Sequence, residues 1–249
     1  MACSTCRCLQ EHTRATLTTM NSSVASPPPP GPQPNFVNPP NLLNQVIAAT
    51  VSVQAITLLF ILIRLYENIY ARLLRPEDIF SYTAWLAFIA QATLICINTT
   101  HGIARHIGDV PVPTLIAGSR RYSYIFICYT ISGGFAKATI FMQLKRIFTS
   151  PRIRDAVYWV ITVSLALNAV AYTTFLFLYV FTCWPREKIW TPTVPGRCMD
   201  SNRLNMAIGG LNTLSDVEAF LVPMWAVWKL RFDVRKKVSI LAVFAVGGL

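Results

Sequence analysis

Five apolar stretches, each about 19–27 residues long, follow one another along this chain. They are Leu42–Tyr66, Ile79–Ile97, Tyr122–Phe148, Val157–Phe181 and Met206–Trp228, and a sixth, Val238–Leu249, is only begun. A helix rises 1.5 Å per residue, so about 20 residues cross the hydrocarbon core of a bilayer. The expected fold is therefore all-α: a polytopic transmembrane helix bundle with five complete spans and a truncated sixth. The last stretch offers only about 12 apolar residues and ends in Gly247-Gly248-Leu249 without a flanking charge. It is too short to cross.

Composition agrees with a membrane bundle. Of the 249 residues, 53% are hydrophobic and only 13% charged, with mean hydropathy +0.45. Soluble domains carry about 25% charged residues. The net charge of +11 would point a soluble protein toward nucleic acid. Here the basic residues sit mainly in short connections between the stretches, where they set topology and meet lipid headgroups. The bilayer is the expected partner, and nucleic acid is not. Residues 42–249 form one domain, preceded by a tail of different character. Between Ser26 and Pro40 the tail holds Pro27-Pro28-Pro29-Pro30, Pro32, Pro34, Pro39 and Pro40. Such a segment is too rich in proline to pack and is expected to be extended and disordered. It has no hydrophobic run of signal-peptide length, so the first span is expected to direct insertion. Cys3, Cys6 and Cys8 are weak evidence for metal binding or lipid attachment, and Met20 is an alternative start.

Basic residues also orient the bundle. With the N-terminus outside, twelve lysines and arginines fall in inner connections, among them Arg64, Arg146 and Lys237, against nine in outer ones. The inner connections are also the shorter, so their charge is denser. Both glycosylation sequons, at Asn21 and Asn98, then lie outside. The expected location is the plasma membrane, multi-pass, with the N-terminus outside. Inside, Pro76-Glu77-Asp78 suits the start of the second helix, with acids at its positive end. Outside, Cys183 and Cys198 share a loop in which a disulfide closing about 15 residues would restrain a lid. The alternatives are two free thiols or pairing with Cys128. Trp190 belongs to that lid, with Arg105 and His106 from the other outer loop; the histidines do not suggest a metal site.

Inside the bilayer an ionisable side chain costs several kcal/mol unless it is paired or wet, so each one marks a candidate site. Lys137 sits mid-way along the third stretch and Asp216 mid-way along the fifth. Counted from the outer ends, Lys137 lies roughly 22 Å deep and Asp216 roughly 15 Å deep, an offset a lysine can bridge. A buried Lys137–Asp216 pair is expected. Asn205, Asn212, Asp216 and Pro223 recur at spacings of seven, four and seven, which puts them on one helix face. Asn168 and Gln143 could join that network, whereas Glu218 falls on another face, toward a neighbouring helix or a cavity. Such a network either clamps helices or lines a ligand pocket.

Several of these segments resemble the fungal rhodopsin-like integral membrane domain. They include Arg64-Leu65-Tyr66, Pro76-Glu77-Asp78, Gly102-Ile103-Ala104-Arg105-His106 with Asp109-Val110, and Lys137-Ala138-Thr139-Ile140 with Lys145-Arg146-Ile147-Phe148. Cys183-Trp184-Pro185, Trp190, Gly196-Arg197-Cys198, Asn212, Ser215-Asp216 and Pro223 complete the set. The resemblance covers residues 42–249 and implies a seven-helix, receptor-like fold. That family includes receptors of the appressorium-signalling type and membrane proteins of secondary-metabolite clusters, such as the satratoxin cluster. This chain differs at Pro76 and Ala104, lacks a cysteine-rich ligand-binding domain and stops within its sixth stretch. No cofactor is expected: retinal would need a Schiff-base lysine in a last helix, and Lys137 lies in the third.

Three functions remain open. The first is a receptor-like sensor of a small or apolar molecule, with a G protein or other cytoplasmic partner. The second is a membrane-embedded enzyme or accessory factor of secondary-metabolite biosynthesis, with Asp216 or Glu218 as a buried acid. The third is a transporter. Beyond these isolated carboxylates the chain carries no catalytic motif, and no catalytic residue is assigned.

Overall fold

A computed structural model of the chain describes residues 42–103, 112–149, 155–191 and 193–229. The N-terminal tail with Asn21 and its cysteines, the loop residues Arg105 and His106, and the Val238–Leu249 stretch lie outside the described residues. Among the described residues five helices follow in order: α1 Leu43–Ala71, α2 Pro76–Asn98, α3 Val112–Phe148, α4 Ala156–Val180 and α5 Ser201–Lys229. The last turn of α2 widens into a π turn over Thr99–Ile103. Between α4 and α5, β1 Cys183–Trp184 pairs antiparallel with β2 Arg197–Cys198 around a 3₁₀ turn, Arg186–Ile189. This is a multi-pass membrane protein.

The described helices bear out part of the expected count of spans. Four helices, α1 to α4, are long and apolar enough to cross a membrane. Helix α5 has the 29 residues required, but Asn205, Asn212, Asp216, Glu218 and Gly209-Gly210 dilute its apolar character. Those polar residues are the ones it spends on its neighbours, as described below. Of the expected spans, four are borne out by length and apolar character.

Helix starts and stops follow local chemistry. Pro76 occupies the first position of α2, where a missing N–H costs nothing. Two residues on, the Asp78 carboxylate accepts the Arg75 backbone N–H at 3.1 Å and closes the start of the helix. At its other end α1 stops where Arg72 turns left-handed, its N–H returning to the carbonyls of Asn68 and Ile69. Within the spans, hydroxyls of Thr50, Thr83, Thr130 and Thr162 donate to the carbonyl four residues earlier, at 2.7–2.9 Å. A hydroxyl satisfied in this way can sit in an apolar helix at little cost.

Helix α3 is the hub, packed against α2, α4 and α5, while α1 leans chiefly on α2. No residue of α1 is buried. It is held by Gln54, whose amide donates to the Phe88 carbonyl at 3.1 Å, and by Asn68, which donates to the Tyr82 hydroxyl at 2.9 Å. Two apolar clusters lie toward opposite ends of the α3–α4–α5 unit. One gathers Phe141, Leu144, Phe148, Val157, Ile161 and Val222. The other gathers Tyr179, Leu204 and Ile208 with Phe126 and Leu178 against them. The polar residues lie in the band between.

Close approach of α3 and α4 depends on Gly133-Gly134, against which Tyr172 packs. A Cβ at Gly133 would meet that ring at 3.0 Å, and one at Gly134 would sit 3.1 Å from the Tyr172 Cβ. Small residues are what let helix backbones come together where no water is available to drive association. Gly134→Leu should therefore push α4 away and cost about 1–3 kcal/mol, read as a lower thermal midpoint in detergent. An unchanged midpoint would show that the two helices do not depend on this contact.

Candidate functional site

The central band is built on a shared seven-residue step. Tyr172 and Tyr179 of α4 are seven apart, as are Asn212 and Asn205 of antiparallel α5, so both pairs meet in register. Tyr179 donates to Asn205 Oδ1 and Tyr172 to Asn212 Oδ1, each at 2.8 Å. One turn further on, Asn168 donates to Glu218 Oε2 at 3.2 Å and accepts from the Ser215 hydroxyl. Three polar rungs thus join α4 to α5. Each satisfies groups that would otherwise be stranded in hydrocarbon.

From the middle rung the network runs on to α3. Asn212 Nδ2 donates to Asp216 Oδ2 at 3.1 Å, and the other carboxylate oxygen of Asp216 pairs with the Lys137 ammonium. Tyr172, Asn212, Asp216 and Lys137 form one chain across three helices. The expected contact is present, but its expected burial is not shared equally. The Lys137 side chain is 6% exposed, whereas that of Asp216 is 61% exposed. Asp216 sits at the rim of the α3–α5 seam, on a side that no described element covers. Glu218 lies apart from this chain and faces α4 through Asn168. Gln143, a possible member, lies elsewhere: with its carbonyl turned toward Arg64 it accepts from both Nη atoms at 2.6 and 2.7 Å.

At the end of the bundle that holds α2's start, acids and arginines lock three helices. Arg64 of α1 donates to Asp78 at 2.7 Å, and Arg146 of α3 donates to Glu77 at 2.6 Å. Glu77 and Asp78 are 7% and 3% exposed, deep enough that an unpaired charge there would be costly. Beside them lies a cavity of about 330 Å³. Pairing of Pro76-Glu77-Asp78 with the Arg146-Ile147-Phe148 segment went unread in the sequence, since nothing in either motif names the other.

At the opposite end the hairpin is a disulfide-closed cap. Cys183 and Cys198 are bonded, and Cys128 is a free thiol. Gly196 permits the closure: a Cβ there would sit 2.4 Å from the Trp184 carbonyl oxygen. Two cation–π contacts fix the cap to α3, with Arg120 5.1 Å from the Trp190 ring centre and Arg186 5.3 Å from that of Tyr124. Trp190 is therefore part of a docked lid, as expected, though its partner is Arg120. Asn98 carries the second glycosylation sequon. It is only 4% exposed, at the junction of α2 and its π turn.

Comparison with known proteins now decides the family. Residues 63–249 match the fungal rhodopsin domain. The chain belongs to that family. It is 25% identical over 226 residues to fugralins biosynthesis cluster protein 2 of Gibberella zeae, covering 88% of this chain and 56% of that protein. It is 34% identical over 111 residues to a SAT4 family membrane protein of Emericella nidulans, covering 45% and 29%. A satratoxin biosynthesis SC1 cluster protein 4 of Stachybotrys chartarum is 31% identical over 103 residues, covering 41% and 36%. The chain spans about half or less of the length of these relatives. No solved structure matches.

The unequal burial of the pair makes a specific expectation. Asp216→Leu strands a buried ammonium and should cost about 3 kcal/mol or more, whereas Lys137→Met leaves a carboxylate at a rim and should cost less. The double variant should recover part of the larger loss when thermal stability is read in detergent. Simple additivity would mean that the two groups do not interact.

Proposed function

We propose that this protein is a receptor-like sensor of a small, largely apolar molecule, with the Tyr172–Asn212–Asp216–Lys137 chain as its responsive element. The observation that supports this is the one-sided carboxylate: Asp216 holds buried Lys137 with one oxygen while its side chain stays open at the seam of α3 and α5. A ligand group arriving from the open side competes with Lys137 for that carboxylate. Binding would then change what holds α3 to α5, and a ligand shifts a conformational equilibrium only by such a difference in contacts. In this reading α5 also spans the bilayer, since its polar residues are consumed by α3 and α4. The disulfide-closed cap lies outside with the N-terminal tail, in the plasma membrane. The arginine lock then faces the cytoplasm, where a G protein or another partner reads the state of α1, α2 and α3.

A second reading has its own support. Two of the relatives are named as proteins of the fugralins and satratoxin biosynthesis clusters, which favours a membrane factor acting on an apolar metabolite. Asp216→Asn, which keeps shape and removes charge, separates the two when introduced into the host cell. A sensor loses its dose-dependent response to metabolite with no new intermediate in the extract. Accumulation of one unconverted precursor in mass-spectrometric profiles would overturn the sensor reading.

Orientation is checked independently. A glycosylation reporter fused after Lys237 should remain unmodified, because the segment from Arg231 to Lys237 carries the densest basic charge. A modified reporter would invert the bundle and place the arginine lock outside.

A further inference from the structure

The cavity of about 330 Å³ beside the arginine lock lies between α1, α2 and α3 and falls within the size range of small-molecule sites. Along α1 its lining residues Phe60, Ile63, Arg64 and Glu67 share one face, at steps of three or four. They pass from apolar to charged toward the end of the helix, over a rise of about 10 Å. The cavity is therefore apolar on its membrane side and polar at its rim. Phe60 and Ile63 are exposed, so acyl chains can lie along that wall.

Charge at the rim is unevenly used. Both acids of the lock are taken: Asp78 by Arg64 and by the Arg75 backbone N–H, and Glu77 by Arg146. The cations are not. Arg75 lines the cavity and makes no ion pair among the described residues. Arg146 gives Glu77 only Nη1, and its side chain is 47% exposed, which leaves N–H donors free to reach a ligand. Against these two guanidinium groups the lining sets one further acid, Glu67, exposed and without an ion pair among the described residues.

We infer that this cavity binds an anionic phospholipid, whose headgroup phosphate accepts from Arg75 and Arg146 and whose acyl chain follows Phe60 and Ile63. Guanidinium groups match phosphate oxygens in both charge and geometry. Basic pockets between spans are suited to such headgroups. A free phosphate ester brings the same oxygens but leaves the apolar wall uncovered, so the lipid is the better fit. Bound there, it ties α1, which buries no residue of its own, to α3. The inference is independent of the sensor reading, and the orientation of the bundle decides only which leaflet supplies the lipid.

The test uses the full chain in mild detergent, with dioleoylphosphatidic acid, dioleoylphosphatidylcholine and glycerol 3-phosphate as probes. Titrations read by native mass spectrometry should show phosphatidic acid binding about tenfold tighter than phosphatidylcholine of the same acyl chains. Glycerol 3-phosphate at equal concentration should not displace it; displacement would overturn the lipid as the source of the phosphate. Arg75→Gln should weaken phosphatidic acid binding about tenfold. Arg72→Gln, on the exposed turn outside the cavity, should change it by less than about twofold. Glu67→Gln should tighten binding about twofold, a gain that a misfolded variant cannot give. Equal affinity for the two lipids, or a loss in Arg72→Gln as large as that in Arg75→Gln, would overturn the inference and leave only diffuse attraction to charged lipid. Weaker binding by Glu67→Gln would overturn it as well.

Discussion

Hydrocarbon offers a polar side chain no water, so every such group within the helices must find its partner in the protein. That requirement organises this bundle. Lys137 is the most demanding case, a buried ammonium whose one acid is Asp216, and Asp216 is itself held by Asn212 and through it by Tyr172. The chain of contacts fixes α3, α4 and α5 at one level. Apolar packing on either side, around Phe141 and Ile161 at one end and around Tyr179 and Ile208 at the other, then has a defined register to fill. Without the polar level, similar apolar faces could slide past one another at little cost, because lipid is as good a neighbour as leucine.

The two ends of the bundle are secured by different means. One relies on ion pairs, with Arg64 and Arg146 converging on the adjacent acids Asp78 and Glu77. The other relies on a covalent closure, Cys183–Cys198, and on two arginines laid over aromatic rings. Ion pairs can be broken by a competing charge, whereas a disulfide-closed cap keeps its shape. This asymmetry suits a protein whose cap end stays fixed while its lock end responds. It sits well beside the receptor-like reading, in which a partner would engage the end that can open.

Membership of the fungal rhodopsin domain family places the chain among membrane proteins, and two of its relatives are named as biosynthesis-cluster proteins. Asp216 offers a charge already committed to Lys137. A molecule reading it must displace that charge.

Much of this was legible in the residues alone, because the relevant physics is one-dimensional. Length and hydropathy settle whether a segment can cross a bilayer, which is why α1 to α4 could be placed from their composition. A lone lysine and a lone aspartate at similar depth have few alternatives to each other, and two cysteines in one loop have few alternatives to a bond. Tertiary structure decided what depends on which helix faces which. Tyr172 and Tyr179 look like ordinary apolar residues until α5 brings Asn212 and Asn205 opposite them. Gly133-Gly134 has no visible purpose until the Tyr172 ring covers it. The meeting of Glu77 with Arg146 joins segments 69 residues apart. Asn98 reads as a glycan acceptor by motif, and only the fold shows that it is buried at its helix end. Asp216 was expected inside and lies at a rim, since a helical period names a face but only neighbouring helices determine whether that face is covered.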